Sequence, residues 1–282
     1  HKVYAKYVVL ASQYPFLKVP GFYFAKMYQA SSYVIGIKTK EELPKDMYLS
    51  IDEPNFSFRT VGDILLIGGA GHKTGSKVDY NETYGVLEKK AKELYPDCEI
   101  KYKWSTRDAI SLDKIPYIGE YSSLMPNLYV MTGFNKWGMT SSNVAANIIA
   151  DKITGGASIY EEIFKSTRFK PITNKDEMKN MLVDSTKSLV LDRIKAENIE
   201  TNGIRPGSGA IVDLDGSKVG VYKDEDGKAY YIKPVCTHLG CILEWNDADK
   251  TWDCPCHGSR YDKYGKNIYD PAIKNLDVYD FE

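Results

Sequence analysis

The chain has no run of about 18 consecutive apolar residues, so no membrane-spanning helix is expected. Its 37 Lys and Arg against 38 Asp and Glu leave a formal net charge of −1, which exerts no general pull on nucleic acid or an anionic membrane. The 22 tyrosines, though interleaved with lysines, are spread along the chain and form no stacking patch, which argues against nucleic-acid binding. The opening HKVYAKYVVLASQYPF lacks the apolar core and small-residue cleavage site of a signal peptide, and there is no initiator methionine. The chain therefore reads as a fragment, cytoplasmic and without a membrane anchor. Cysteine is scarce, with five in 282 residues, and that scarcity makes its distribution informative. Cys98 stands alone and reads as an inert thiol.

The other four cysteines share one stretch with two of the four histidines: Cys236-Thr237-His238-Leu239-Gly240-Cys241 and Cys254-Pro255-Cys256-His257-Gly258-Ser259. A C-x-H pair and a C-x-x-H pair, separated by the 15 residues 239–253, can bring two thiolates and two imidazoles together. Three chemistries suit the pattern. One is a structural Cys₂His₂ zinc site. Another is a [2Fe–2S] centre with two cysteines on one iron and two histidines on the other. The third is a pair of disulfides, which leaves both histidines unexplained. Gly240 and Gly258 let the backbone fold tightly over a bound group, while Cys241 and Cys256 are surplus to a zinc site and could bond to one another.

A length of 282 residues suits two or three compact units. Strands are expected at 6–12, Tyr33–Thr39, Met47–Asp52, Cys98–Trp104 and Leu128–Thr132, with a hairpin joining Phe56–Thr60 to Ile64–Gly68. Tyr84, Leu87, Ala91 and Leu94 have helical spacing within 80–95, stopped by Pro96. A second helix over 139–153 buries Val144, Ala145, Ile148 and Ile149 and closes at Gly155-Gly156. A third, 174–195, has Asn174 as cap, Glu177 at the capping-box position and a packing stripe of Met178, Met181, Leu182 and Leu189. From about 198 onward short strands alternate with turns such as Asp215-Gly216 and Asp226-Gly227, marking a separate small β domain.

The boxes C-T-H-L-G-C and C-P-C-H-G-S, followed by Tyr261-Asp262, Gly265 and Pro271-Ala272, resemble Rieske proteins over most of 200–282. The resemblance implies that Cys236 and Cys254 bind an inner iron and that His238 and His257 bind an outer iron with their far ring edges near the surface. It pairs Cys241 with Cys256 in a disulfide and makes Ser259 and Tyr261 hydroxyl donors to cluster sulfurs. Such hydrogen bonds favour the more negative reduced cluster, placing the potential in the upper part of a range of roughly −150 to +300 mV. Asp270 stands where the family often has glycine, and a carboxylate there would lower the potential.

In the front part, Ile64-Leu65-Leu66-Ile67-Gly68-Gly69-Ala70-Gly71-His72-Lys73-Thr74-Gly75 presents a strand followed by glycines. A dinucleotide fingerprint needs a βαβ unit and this strand belongs to a hairpin, so a glycine-rich strand end is expected instead. Tyr102-Lys103-Trp104-Ser105-Thr106, Leu112–Gly119 and Leu128–Thr140 resemble the C-terminal half of FAD-dependent oxidoreductases of the D-amino-acid oxidase and glycine oxidase type, over roughly 1–170. The resemblance implies part of an FAD-binding α/β domain joined to an antiparallel substrate domain. The strand-to-helix turn at 133–140 is the flavin candidate: Gly133, Lys136, Trp137, Gly138 and Met139 would lie along the ring, where a helix start favours negative charge. The family's Gly-rich ADP-binding motif is missing from the chain.

The expected architecture is therefore α+β: a partial FAD-dependent oxidoreductase (1–170), with an antiparallel substrate-domain sheet and part of the FAD domain, then a helical linker (171–197) and a small all-β Rieske domain (198–282). The expected cofactors are a Rieske-type [2Fe–2S] cluster and, in the full-length protein, FAD. The expected partner is an electron donor or acceptor, either protein or small molecule. Electrons would come from an amine or amino-acid-like substrate; the alternative is a non-catalytic electron carrier with a docking domain. No catalytic residue is assigned.

Overall fold

Alternation in Met27–Lys38 (β2) turns Met27, Gln29, Ser31, Tyr33, Ile35 and Ile37 inward, so that one face of an extended strand builds the core. The computed structural model describes residues 2–168 and 203–280. β2 lies between Ile64–Lys73 (β5) and Glu99–Ser111 (β6) in a five-stranded antiparallel sheet; Tyr48–Leu49 (β3) and Phe56–Val61 (β4) complete it in the order β3-β4-β5-β2-β6.

Helix α1 (Tyr80–Leu94) covers this sheet. The Asp79 carboxylate caps it, accepting from the backbone N–H of Asn81 at 2.8 Å and of Glu82 at 3.3 Å. Tyr84, Leu87 and Ala91 pack on Tyr33, Ile35 and Leu65. Leu94, expected on the same stripe, instead lines an open groove beside Tyr48 and Phe58.

A second, three-stranded sheet pairs Val8–Leu10 (β1) parallel to Leu128–Thr132 (β8) and β8 antiparallel to Tyr117–Glu120 (β7). Helix α2 (Gly138–Thr154) buries Ala145, Ile148 and Ile149 against Ile118 and Tyr129, and ends at Gly155 with φ 81°.

Several segments differ in extent from the sequence expectation: the 6–12 strand is Val8–Leu10, and the Tyr33–Thr39 strand begins at Met27. The strand expected to end at Trp104 runs on to Ser111, because its polar stretch pairs with the first half of β2, from Met27 onward. The 47–52 strand shrinks to two residues at the sheet edge, paired only with β4. The glycine-rich run is strand throughout: β5 continues to Lys73, antiparallel to both neighbours. Its glycines serve close packing, since a Cβ on Gly69 would lie 2.6 Å from the Asn55 carbonyl.

The C-terminal module is all β. Ser208–Leu214 (β9), Ser217–Lys223 (β10), Ala229–Ile232 (β11) and Val278–Tyr279 (β16) form a sheet in the order β16-β11-β10-β9. Glu244–Asn246 (β12), Thr251–Asp253 (β13), Arg260–Asp262 (β14) and Asn267–Tyr269 (β15) form a second, in sequential order. Asp215 and Gly216, with φ 53° and 78°, make the tight β9–β10 turn. Buried Trp252, Tyr222, Leu243 and Tyr261 fill the space beneath the loops that follow β11 and β13. The expected 174–195 helix and the boundary near 197 lie outside the described residues. Among the described residues, no helix is long and apolar enough to cross a membrane.

Candidate metal centre

The two Cys–His segments fold as the same turn twice. In the first, Cys236 N–H donates to Cys241 C=O at 2.9 Å and Gly240 N–H to Cys236 C=O at 3.0 Å. In the second, Cys254 N–H donates to Ser259 C=O at 2.8 Å and Gly258 N–H to Cys254 C=O at 3.0 Å. Gly240 and Gly258 both sit at φ 82°, a left-handed conformation that glycine adopts without steric cost. Each turn thus offers one thiol and one imidazole from a fixed backbone frame, and the Cys241–Cys256 disulfide (S–S 2.02 Å) ties the frames together.

Cys236 and Cys254 are buried free thiols. The His238 and His257 rings face each other with centroids 5.0 Å apart at 83°. The Nδ1 atoms of both rings are buried without a hydrogen-bond partner, a costly arrangement unless something coordinates them. Burial, the neighbouring His257 and Lys18 lower the His238 pKa to about 3, and burial lowers that of His257 to about 4, so both imidazoles are neutral at pH 7 with a lone pair free to ligate. The bond shared with Cys254 pulls the Cys236 thiol down to about 6, against the opposing effect of burial, and Tyr261 and Ser259 add to the pull. The Cys254 thiol is driven the other way, chiefly by the same bond. The sulfurs of Cys241, Cys254 and Cys256 also lie within 4.8 Å of one another, but two of them are spent in the disulfide and cannot serve as thiolates. Two thiols and two unpartnered imidazole nitrogens on clasped loops fit a Cys₂His₂ metal group.

Tyr261 O–H reaches Cys236 Sγ at 3.5 Å and accepts from Thr237 N–H at 3.0 Å. Ser259 Oγ accepts from Ala272 N–H at 2.9 Å, fixing the oxygen. Asp270 is half-buried and offers its backbone carbonyl to Gln29 at 3.3 Å, while burial raises its carboxyl pKa.

The structure overturns the expectation that the imidazole edges lie at the surface: His238 is 4% and His257 5% exposed. The physical reason is that the first module packs over them. The Phe24 ring stands edge-on to both, at 6.2 and 6.0 Å. Lys18 Nζ donates to the His238 carbonyl. Arg107 donates to the Gly258 carbonyl and pairs with Asp253 at 2.7 Å, and Asp253 in turn binds Arg260. No local motif signals Arg107, Phe24, Lys18 or Gln29, because their neighbours at the site lie more than 100 residues away in sequence.

The flavin candidate turn is formed as a turn. β8 ends before Gly133 (φ 70°), Asn135 and Lys136 also have positive φ, and α2 starts at Gly138 without a side-chain cap. Gly133, Lys136 and Gly138 line a cavity of about 80 Å³ with Gln13, Asp108, Ala109, Phe134 and Asn135. Trp137 and Met139 do not join them and are 67% and 87% exposed. The cavity is far below the several hundred Å³ of an ordinary cofactor pocket. By itself it does not enclose a cofactor.

Residues 196–280 match the family model of the Rieske [2Fe-2S] domain, and residues 1–152 match that of the FAD dependent oxidoreductase. YhfW of Bacillus subtilis (strain 168), described as a Rieske 2Fe-2S iron-sulfur protein, is 39% identical over 286 residues, covering 100% of this chain and 56% of that protein. Cytochrome b6-f complex iron-sulfur subunit 1 of Nostoc sp. is 55% identical over 47 residues, covering 17% of this chain and 26% of that protein. Glycine oxidase from Geobacillus kaustophilus shares the fold, with a TM-score of 0.50 and 22% identity over 59% of this chain and 46% of that one. The chain thus spans about half the length of YhfW and of the glycine oxidase.

Proposed function

The chain belongs to the FAD-dependent oxidoreductase family and carries a Rieske [2Fe-2S] domain, and from that premise we propose that it is the electron-accepting part of a flavoenzyme acting on an amine or amino-acid-like substrate. When bound, FAD takes an electron pair from such a substrate and a [2Fe–2S] cluster handles electrons one at a time. Cys236 and Cys254 would hold one iron as thiolates, and His238 and His257 the other through Nδ1. Burial keeps both imidazoles neutral, while the Tyr261 hydroxyl steadies negative charge on Cys236. The Cys241–Cys256 disulfide holds the two turns in register. In the first module, Gly133, Lys136 and Gly138 would form the wall beside a flavin edge, with Trp137 and Met139 outside it. A division near residues 170 and 198 belongs to this proposal.

The observation that carries the reading is the convergence of two buried thiols and two unpartnered imidazole nitrogens on disulfide-clasped twin turns. Native purification of the full-length protein tests it. Iron and acid-labile sulfide in equal amounts, a Rieske-type electron paramagnetic resonance signal and bound FAD are the expected findings. A colourless, zinc-loaded protein would overturn the cluster assignment. The small flavin-side cavity favours the second reading, an electron carrier with a docking domain. Anaerobic mixing with candidate amines separates the two, since only the enzyme bleaches its flavin.

A further inference from the structure

The cluster loops meet the first module at contacts too close to be incidental. A Cβ on Gly75 would fall 2.5 Å from the Pro255 carbonyl, and one on Gly258 would overlap the Gln29 amide. Backbone of one module thus lies directly against the other, on both sides of His257. Tyr269 O–H is 2.7 Å from both Gln13 Oε1 and the Arg107 carbonyl, and the same carbonyl accepts from Gln13 Nε2. Arg107 is 3% exposed and reaches the two residues that flank the Cys254–His257 segment, Asp253 and Gly258. The next residues on β6, Asp108 and Ala109, line the cavity at the Gly133–Gly138 turn together with Gln13. One strand therefore borders both candidate redox sites.

Charge in this junction is balanced. Arg107 and Arg260 face Asp253 and Asp249, with Arg260 Nη2 2.6 Å from Asp249 and Arg107 Nη2 2.7 Å from Asp253. All four side chains are buried or nearly so. Without Arg107 the group would carry one net negative charge next to Cys254, in surroundings that screen it poorly.

Building on the Rieske reading above, we infer that the first module completes the cluster site. Arg107 is a positioning residue that clamps the His257 loop and supplies its balancing positive charge. Phe24 seals the edges of both imidazoles. These edges face the flavoprotein module of the same chain, not an external partner.

The test uses the cluster-loaded full-length protein. Arg107→Met keeps Asp253 paired with Arg260, so no buried carboxylate is left alone. The added negative charge should raise the oxidised-to-reduced ratio of the cluster at least threefold at a fixed redox poise and change its visible circular dichroism. Arg107→Lys, which keeps the charge, should stay within twofold of the parent ratio. Phe24→Ala should speed oxidation of the reduced cluster by ferricyanide at least fivefold. A parent-like ratio and spectrum in Arg107→Met, or unchanged ferricyanide oxidation in Phe24→Ala, would overturn the inference. If Arg107→Met does not fold, Arg107→Gln is read by the same ratio and spectrum. A parent protein with no [2Fe–2S] signal would count against the function proposed above instead, so the two failures are distinguishable.

Discussion

Asp253 is the residue on which the junction most depends, and replacing it with asparagine gives a sharp prediction. Its carboxylate is 3% exposed and accepts from Arg107 Nη2 at 2.7 Å, Arg260 Nε at 2.9 Å and Nη2 at 3.0 Å, Asn246 Nδ2 at 3.1 Å and Thr251 Oγ1 at 2.9 Å. An amide has one accepting oxygen, and its NH₂ would point donors at donors. Asp253→Asn would also leave Arg260 with Asp249 as its remaining carboxylate and Arg107 with the Gly258 carbonyl. Breaking a buried ion pair by removing one partner costs about 3–5 kcal/mol. Against a total stability of about 5–15 kcal/mol, that is a large fraction. For a chain of this size, 1 kcal/mol moves Tm by about 2–4 °C, so a fall of roughly 6–20 °C is expected. Thermal and urea unfolding at neutral pH, followed by near-ultraviolet circular dichroism, measure it. An Asp253→Asn protein within about 1 kcal/mol of the parent would refute the view that this carboxylate holds the modules together.

Other outcomes follow from single contacts. Removing the disulfide with Cys241→Ser and Cys256→Ser should cost about 3 kcal/mol for its sequence separation of 15, seen as a lower urea midpoint and faster cluster loss in air. Tyr261→Phe removes the hydroxyl 3.5 Å from Cys236 Sγ; with a hydrogen bond worth about 0.5–1.5 kcal/mol, the potential should fall by roughly 20–60 mV in protein-film voltammetry. Lys26 is buried, and burial together with Arg168 lowers its pKa to about 8, below its unfolded value of about 10.4. Between those values the unfolded chain binds more protons, so stability should rise as pH increases from about 8 to about 10. Lys26→Met should abolish that rise, and a stability curve with the parent's slope would contradict the assignment.

Much of this was readable from local pattern. The twin Cys–His boxes, the Asp215-Gly216 turn and the alternation in Tyr33–Ile37 are effects of adjacent residues, and the structure shows the twin turns, the hairpin and the core-facing strand there. Likewise α1 follows from the apolar stripe of Tyr84, Leu87 and Ala91, and α2 ends where Gly155 takes a left-handed φ. What was not readable lies in the polar half of β6. Ser105, Arg107 and Asp108 carry little strand propensity of their own, and they are extended because β2 pairs with them and the second module accepts the side chains of Ser105 and Arg107.

The sequence by itself determined the donor set, because thiols, imidazoles and turn glycines at those spacings are properties of two short segments. It also determined which residues flank those donors, Tyr261 and Ser259 among them. Only the tertiary structure decided what faces them. The imidazoles are sealed by Phe24, and the His257 loop is clamped by a guanidinium 151 residues distant in the chain. Such contacts depend on how two folded surfaces meet, and the packing of one surface on another leaves no periodicity in either segment.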